Sequence, residues 1–157
     1  MAHPPAKMLV INEWLFHDAT GENGQSAQRE TEHFLRQLAQ SEDKFAVLWG
    51  SPWIEKSYDL MTHNDIGVES LSILIQSLIW TLDKCLVLQP EFIEATEIPQ
   101  NAIAAAPEED IYLIQTYFAA NADLLITTDE GLYDAFEARQ DVEVIYRDTF
   151  LNDYLNS

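Results

Sequence analysis

Five short, strand-like runs constrain this chain most: "MLVI" at 8–11, "FAVLWG" at 45–50, "CLVLQ" at 85–89, "DLLITT" at 123–128 and "VEVIYR" at 142–147. Each has the length of a strand, and "FAVLWG" has the unbroken apolar character of a parallel strand covered on both faces. Segments with helical spacing separate them. Strands and helices alternating in this way predict a three-layer α/β/α sandwich with a mainly parallel central sheet. With no internal repeat or linker, the whole chain, 1–157, reads as one domain.

The helices are read from periodicity and end signals. In "SAQRETEHFLRQLAQ" Phe34, Leu35 and Leu38 recur on one face, which predicts a helix from about Ser26 to near Ser41, after a loop "HDATGENGQ" at 17–25. Ser51 and Pro52 read as a cap and a first helical residue. The stretch 67–84 is apolar around most of its circumference and predicts a packed helix, whereas 90–106 reads as irregular with helical turns. Pro107 opens a helix with Glu108, Glu109 and Asp110 in its first turn, where acids favour the helix dipole. Further helices are expected over 130–139 and over 148–155, the last capped by Asp148.

Charge narrows the function classes. Asp and Glu number 27 against 8 Lys and Arg, a net charge of −19. Such a chain repels phosphate polymers unless metal ions or a local basic patch compensate, which excludes a generic nucleic-acid binder. The lone Cys85 excludes an internal disulfide framework and suits a reducing compartment. The start lacks a signal-peptide pattern, and the longest apolar stretch, 71–82, is too short to span a bilayer. A soluble cytoplasmic protein with no membrane partner is expected.

In a parallel α/β sheet, ligands gather beyond the carboxyl ends of the strands. A helix from Pro107 to Asn121 runs roughly 22 Å at about 1.5 Å per residue, and the following strand returns roughly 20 Å at about 3.3 Å per residue. Asp110 and Asp129 should therefore meet at one edge. Asn12, Glu13, His17 and Asp18 follow the end of the first strand, and Glu55 lies near the start of the helix after "FAVLWG". Clustered carboxylates repel one another, and a hard divalent cation, Mg²⁺ or Mn²⁺, gives them a reason to converge.

The stretch "PEEDIYLIQTYFAANADLLITTDEGL" at 107–132 resembles the C-terminal half of PIN domains, in which an acid opens a helix, Ala-Asp-x-Leu leads into a strand and Thr-x-Asp ends it. That family consists largely of metal-dependent ribonucleases, including the toxins of toxin–antitoxin pairs. The resemblance implies metal-dependent hydrolysis of RNA. It makes Asp110, Asp129 and Glu55 metal-site and catalytic acids, with Asn12 at the position where the family's first strand usually ends in a ligating aspartate. Glu13 is the adjacent acid that would take over that ligand role if the chain bends after Asn12; in an extended chain it would face away. Gly131 stands where many such sequences carry another acid. An antitoxin-like or other protein partner and a homodimer are further implications.

Other readings stand beside these. The acids at 108–110 also suit a helix first turn, and Asp129 also suits a helix cap. His17 and His63 read as surface residues, His33 lies on a charged helix face and His3 in a tail. Trp14, Trp49, Trp53 and Trp80 read as core, and Cys85 as a small buried hydrophobe. Arg29 and Arg36 form a basic strip diluted by Glu30 and Glu32. Two functional classes follow: a PIN-like endoribonuclease, or a catalytically degraded PIN-like protein-interaction module.

Overall fold

The computed structural model describes residues 5–156. Five strands, β1 (Met8–Ile11), β2 (Lys44–Leu48), β3 (Cys85–Leu88), β4 (Leu124–Thr127) and β5 (Val144–Tyr146), form one sheet in the order β3-β2-β1-β4-β5. Every neighbouring pair is parallel. The helices are α1 (Trp14–Ala19), α2 (Gln25–Gln40), α3 (Pro52–Leu60), α4 (Ile66–Trp80), α5 (Pro90–Glu94), α6 (Gln100–Ala105), α7 (Ile111–Ala119), α8 (Glu130–Glu137) and α9 (Arg147–Leu155), with a 3₁₀ turn at Glu108–Asp110 ahead of α7. The molecule is thus an α/β/α sandwich around an all-parallel sheet.

Side chains alternate across a strand, and both faces here are buried. Leu9, Ile11, Phe45, Val47 and Ile126 face a layer that includes Trp14, Phe34, Trp53, Leu71 and Phe150. On the other face Val10 and Leu125 pack with Ala102, Leu113, Ile114, Leu132 and Phe136. One buried charge pair ties the first layer together. Arg147 Nε donates to Asp18 Oδ2 at 2.7 Å, and that carboxylate also accepts from Asn23 and Thr31.

Several expectations need correction. The loop expected at 17–25 is helical as far as Ala19, because Trp14, Leu15 and Phe16 bury a full turn directly after β1. The helix expected over 67–84 stops at Trp80, and the chain turns through Asp83 at φ 56°. The helical turns expected within 90–106 are present as the short helices α5 and α6. Ser51 is the N-cap residue of α3 and Pro52 follows it, but the Ser51 side chain makes no capping bond and its buried Oγ has no partner. Gly50, at φ 82°, makes the preceding turn, a conformation that glycine adopts without strain. Asp148 does not cap α9 either; it lies in the first turn and pairs with Arg147.

Trp14 and Trp53 are core residues, but Trp49 and Trp80 are 39% and 50% exposed and meet edge to face at 6.1 Å. They lie beside β3, the edge strand of the sheet. Cys85 is half-buried against the core. His33, His63 and Arg29 are exposed, and Arg36 pairs with Glu32. His3 lies outside the described residues. Among the described residues no helix is long and apolar enough to cross a membrane.

Candidate metal centre

The strand order reverses between β1 and β4, since the chain builds outward from β1 to β2 and β3 and then returns to the other side of β1. Loops diverge at such a switch point and leave a crevice at the carboxyl ends of the strands. A cleft of about 370 Å³ lies there, lined by residues that follow β1 and β4 and by others from α1, α3 and the 3₁₀ turn.

Three hydrogen bonds knit its floor. The Asn12 N–H donates to the Ile126 carbonyl at 3.0 Å, extending the β1–β4 ladder by one residue. Asn12 Nδ2 donates to Thr127 Oγ1 at 2.9 Å, and the Asp129 N–H donates to the same oxygen at 3.0 Å. Fully buried Thr127 thereby holds the ends of both strands together. Asp129 is the N-cap of α8, its Oδ1 accepting from the Gly131 N–H at 2.8 Å. The cap reading of Asp129 and its place in the cleft hold together, because a carboxylate has a second oxygen to offer.

Asp110 approaches from the other side of the crevice. It is 4% exposed, and no donor reaches its Oδ2. Glu109 and Asp129 each present a carboxylate oxygen, and the three ligand atoms lie within 4.8 Å of one another. Burial, reinforced by the Asp129 carboxylate and then by Glu109 and Glu13, pushes the Asp110 carboxyl up from 3.8 to about 7. Carboxylates this close attract only if one keeps its proton or a cation sits between them. Oxygen donors of this kind match a hard divalent ion, and the orphaned buried oxygen is the donor such an ion would use.

Glu13 faces the same cleft because the chain does bend after Asn12: Glu13 has helical angles, φ −71° and ψ −5°. Its carboxylate is already engaged. Lys56 Nζ lies 2.8 Å from Oε1, and the Tyr112 hydroxyl donates to Oε2 at 2.7 Å. Burial, together with the contact to Glu13, raises the Tyr112 hydroxyl well above its ordinary range and keeps it a donor. His17 lines the rim and pairs with Glu22 at 2.8 Å.

The structure brings Asp110, Asp129, Asn12 and Glu13 into one cleft and leaves Glu55 out. Glu55 is exposed, and its neighbour Lys56 takes the place facing the site. The rotation of α3 decides this, because the Trp53 indole donates to the Ile11 carbonyl at 2.8 Å and buries Trp53, Ile54, Ser57 and Leu60 inward. Successive helical residues are about 100° apart, so one residue changes the face. Glu109 was legible only as a first-turn acid; the 3₁₀ turn places it beside Asp110. Tyr112 carried a faint signal, as an aromatic hydroxyl two residues beyond Asp110.

A larger hollow of about 730 Å³ lies at the opposite, amino edge, between Leu124, Ile145, Phe150 and Tyr154. Its lining is mostly apolar, and the Asp110–Asp129 pair is absent from it. No protein-family model matches the chain, and comparison with curated proteins finds no match.

Proposed function

We propose that the cleft is the site of a PIN-like, divalent-metal-dependent endoribonuclease that hydrolyses RNA phosphodiester bonds. One observation carries the reading: buried Asp110, whose Oδ2 has no donor, brings its carboxylate together with those of Glu109 and Asp129. Acids held against their mutual repulsion at a switch point are better explained by a ligand than by the fold's own needs. When bound, Mg²⁺ or Mn²⁺ would lower the pKa of a coordinated water and neutralise charge developing on a phosphoryl oxygen. Asp110, Asp129 and Glu109 would hold the ion, while Asn12 offers an uncharged oxygen already engaged with the Glu13 N–H at 2.7 Å. The protein is proposed to act in the cytoplasm, as a homodimer or with an antitoxin-like or other protein partner that covers part of its acidic surface.

A second reading, a degraded PIN-like interaction module, draws on a different observation. Asn12 supplies no charge, and the carboxylate of Glu13 is satisfied by Lys56 and Tyr112. Titration calorimetry with Mn²⁺ and cleavage of a labelled oligoribonucleotide test both. The nuclease reading expects Mn²⁺ binding and metal-dependent cleavage, both abolished by Asp110→Asn; binding without cleavage leaves the module, and no binding removes the metal site.

A further inference from the structure

We propose that Lys56 is the residue that takes hold of the substrate's phosphate, an inference that rests on the ribonuclease reading and names the anionic group the cleft receives. Of the chain's 8 Lys and Arg residues, Lys56 is the only one that lines the cleft. Lys7, Lys44 and Lys84 stand at the start of β1, β2 and β3, on the opposite edge. An anionic substrate approaching a protein of net charge −19 meets one fixed cation beside the acids, and it is this one.

The contacts of Lys56 suit exchange. Its side chain is 39% exposed against 21% for Glu13, so the ammonium is reachable from solvent. Glu13 Oε2 keeps the Tyr112 hydroxyl at 2.7 Å when Lys56 turns away, so the carboxylate is never left without a donor. A lysine ammonium on a flexible four-carbon stem can swing from a carboxylate to a phosphate oxygen with little reorganisation elsewhere. Glu13 is then the resting place of Lys56, and the two compete: whatever loosens the pair frees the cation for the substrate. The ligand is a phosphodiester chain, the substrate of the ribonuclease reading on which this inference rests.

The test uses the full chain, Mn²⁺ and a fluorescent phosphorothioate oligouridylate, which keeps the charge of RNA and resists cleavage. Lys56→Gln should weaken oligouridylate binding about tenfold, equivalent to about 1.4 kcal/mol, and flatten its salt dependence by about one phosphate contact. Lys56→Arg should restore most of the loss. Glu13→Gln should tighten binding more when Lys56 is present than in the Lys56→Gln background, because it releases Lys56; equal effects in the two backgrounds would mean that only the Glu13 charge matters and overturn the release of Lys56. Calorimetry on the same samples should show Mn²⁺ binding undiminished in Lys56→Gln. Equal oligouridylate affinity in wild type and Lys56→Gln, with Mn²⁺ still bound, overturns the assignment of Lys56. Inorganic phosphate competing as tightly as the oligouridylate overturns the chain as ligand. Absence of Mn²⁺ binding in the wild type instead overturns the metal-dependent reading itself.

Discussion

Asn12 and Thr127 are joined by a 2.9 Å hydrogen bond across the β1–β4 seam, and the same Thr127 oxygen receives the backbone of Asp129. The position after β1 is therefore coupled to the acid after β4 through one buried hydroxyl. Replacing Asn12 by Asp removes the amide donor and adds a charge beside Asp110 and Asp129, so metal-free stability should fall. With excess Mn²⁺ the added hard ligand should tighten binding about tenfold and raise the melting temperature by mass action. A shift of the same sign with and without Mn²⁺ places Asn12 outside the metal site.

Asp110 should make stability depend on pH in a defined direction. Its folded-state value is raised from 3.8 to about 7, so the folded protein binds its proton more tightly than the unfolded chain. That contribution is full below about pH 4 and is lost as pH rises through about 7. Metal-free wild type should lose on the order of 2–4 kcal/mol from this group across that window. Asp110→Asn should abolish the dependence and be the more stable protein at about pH 8. Parallel melting-temperature profiles for the two proteins would refute this.

Asp129 combines a cap with a charge, and two substitutions separate them. Asp129→Asn keeps an oxygen for the Gly131 N–H and removes repulsion, so its metal-free stability should be unchanged or raised. Asp129→Ala also loses the cap and should lie about 1 kcal/mol below Asp129→Asn in denaturant unfolding. Equal stability of the two would mean that the capping bond contributes nothing.

Glu55 and Glu109 should exchange the roles expected from sequence. Glu109→Gln should weaken Mn²⁺ binding, because its oxygen belongs to the group around Asp110, whereas Glu55→Gln should leave the calorimetric titration unaltered. A weaker titration for Glu55→Gln would require α3 to rotate in solution.

The pair of Arg147 and Asp18 should dominate the stability of the layer formed by α1, α2 and α9. Arg147 is 6% exposed and Asp18 1%, so Arg147→Met would leave a buried carboxylate with only Asn23 and Thr31 as donors. The expected cost is about 3–5 kcal/mol in urea unfolding. A loss under about 1 kcal/mol would show that neutral donors suffice.

By itself, the sequence determined the layers and the edge at which the acids meet. Runs such as "FAVL" and "LLI" are apolar at every position, as in strands covered on both faces, and helical periodicity between them supplies the covers. Asp110 and Asp129 share an edge because a helix and its returning strand nearly cancel in length, and chain geometry alone guarantees that. Tertiary structure decided which neighbours complete the site. Glu55 and Lys56 differ by one helical step, and the Trp53 bond to Ile11, 42 residues away in sequence, chose Lys56. Glu13 reads as a free acid until Tyr112 and Lys56, brought from two other elements, occupy both of its oxygens. Trp49 and Trp80 read as core because aromatic side chains usually are, yet β3 is an edge strand, and among the described residues no strand pairs with its outer side. Periodicity fixes the face of an element locally, whereas helix rotation, sheet order and the pairing of distant charges are set by packing energies that involve the whole chain at once.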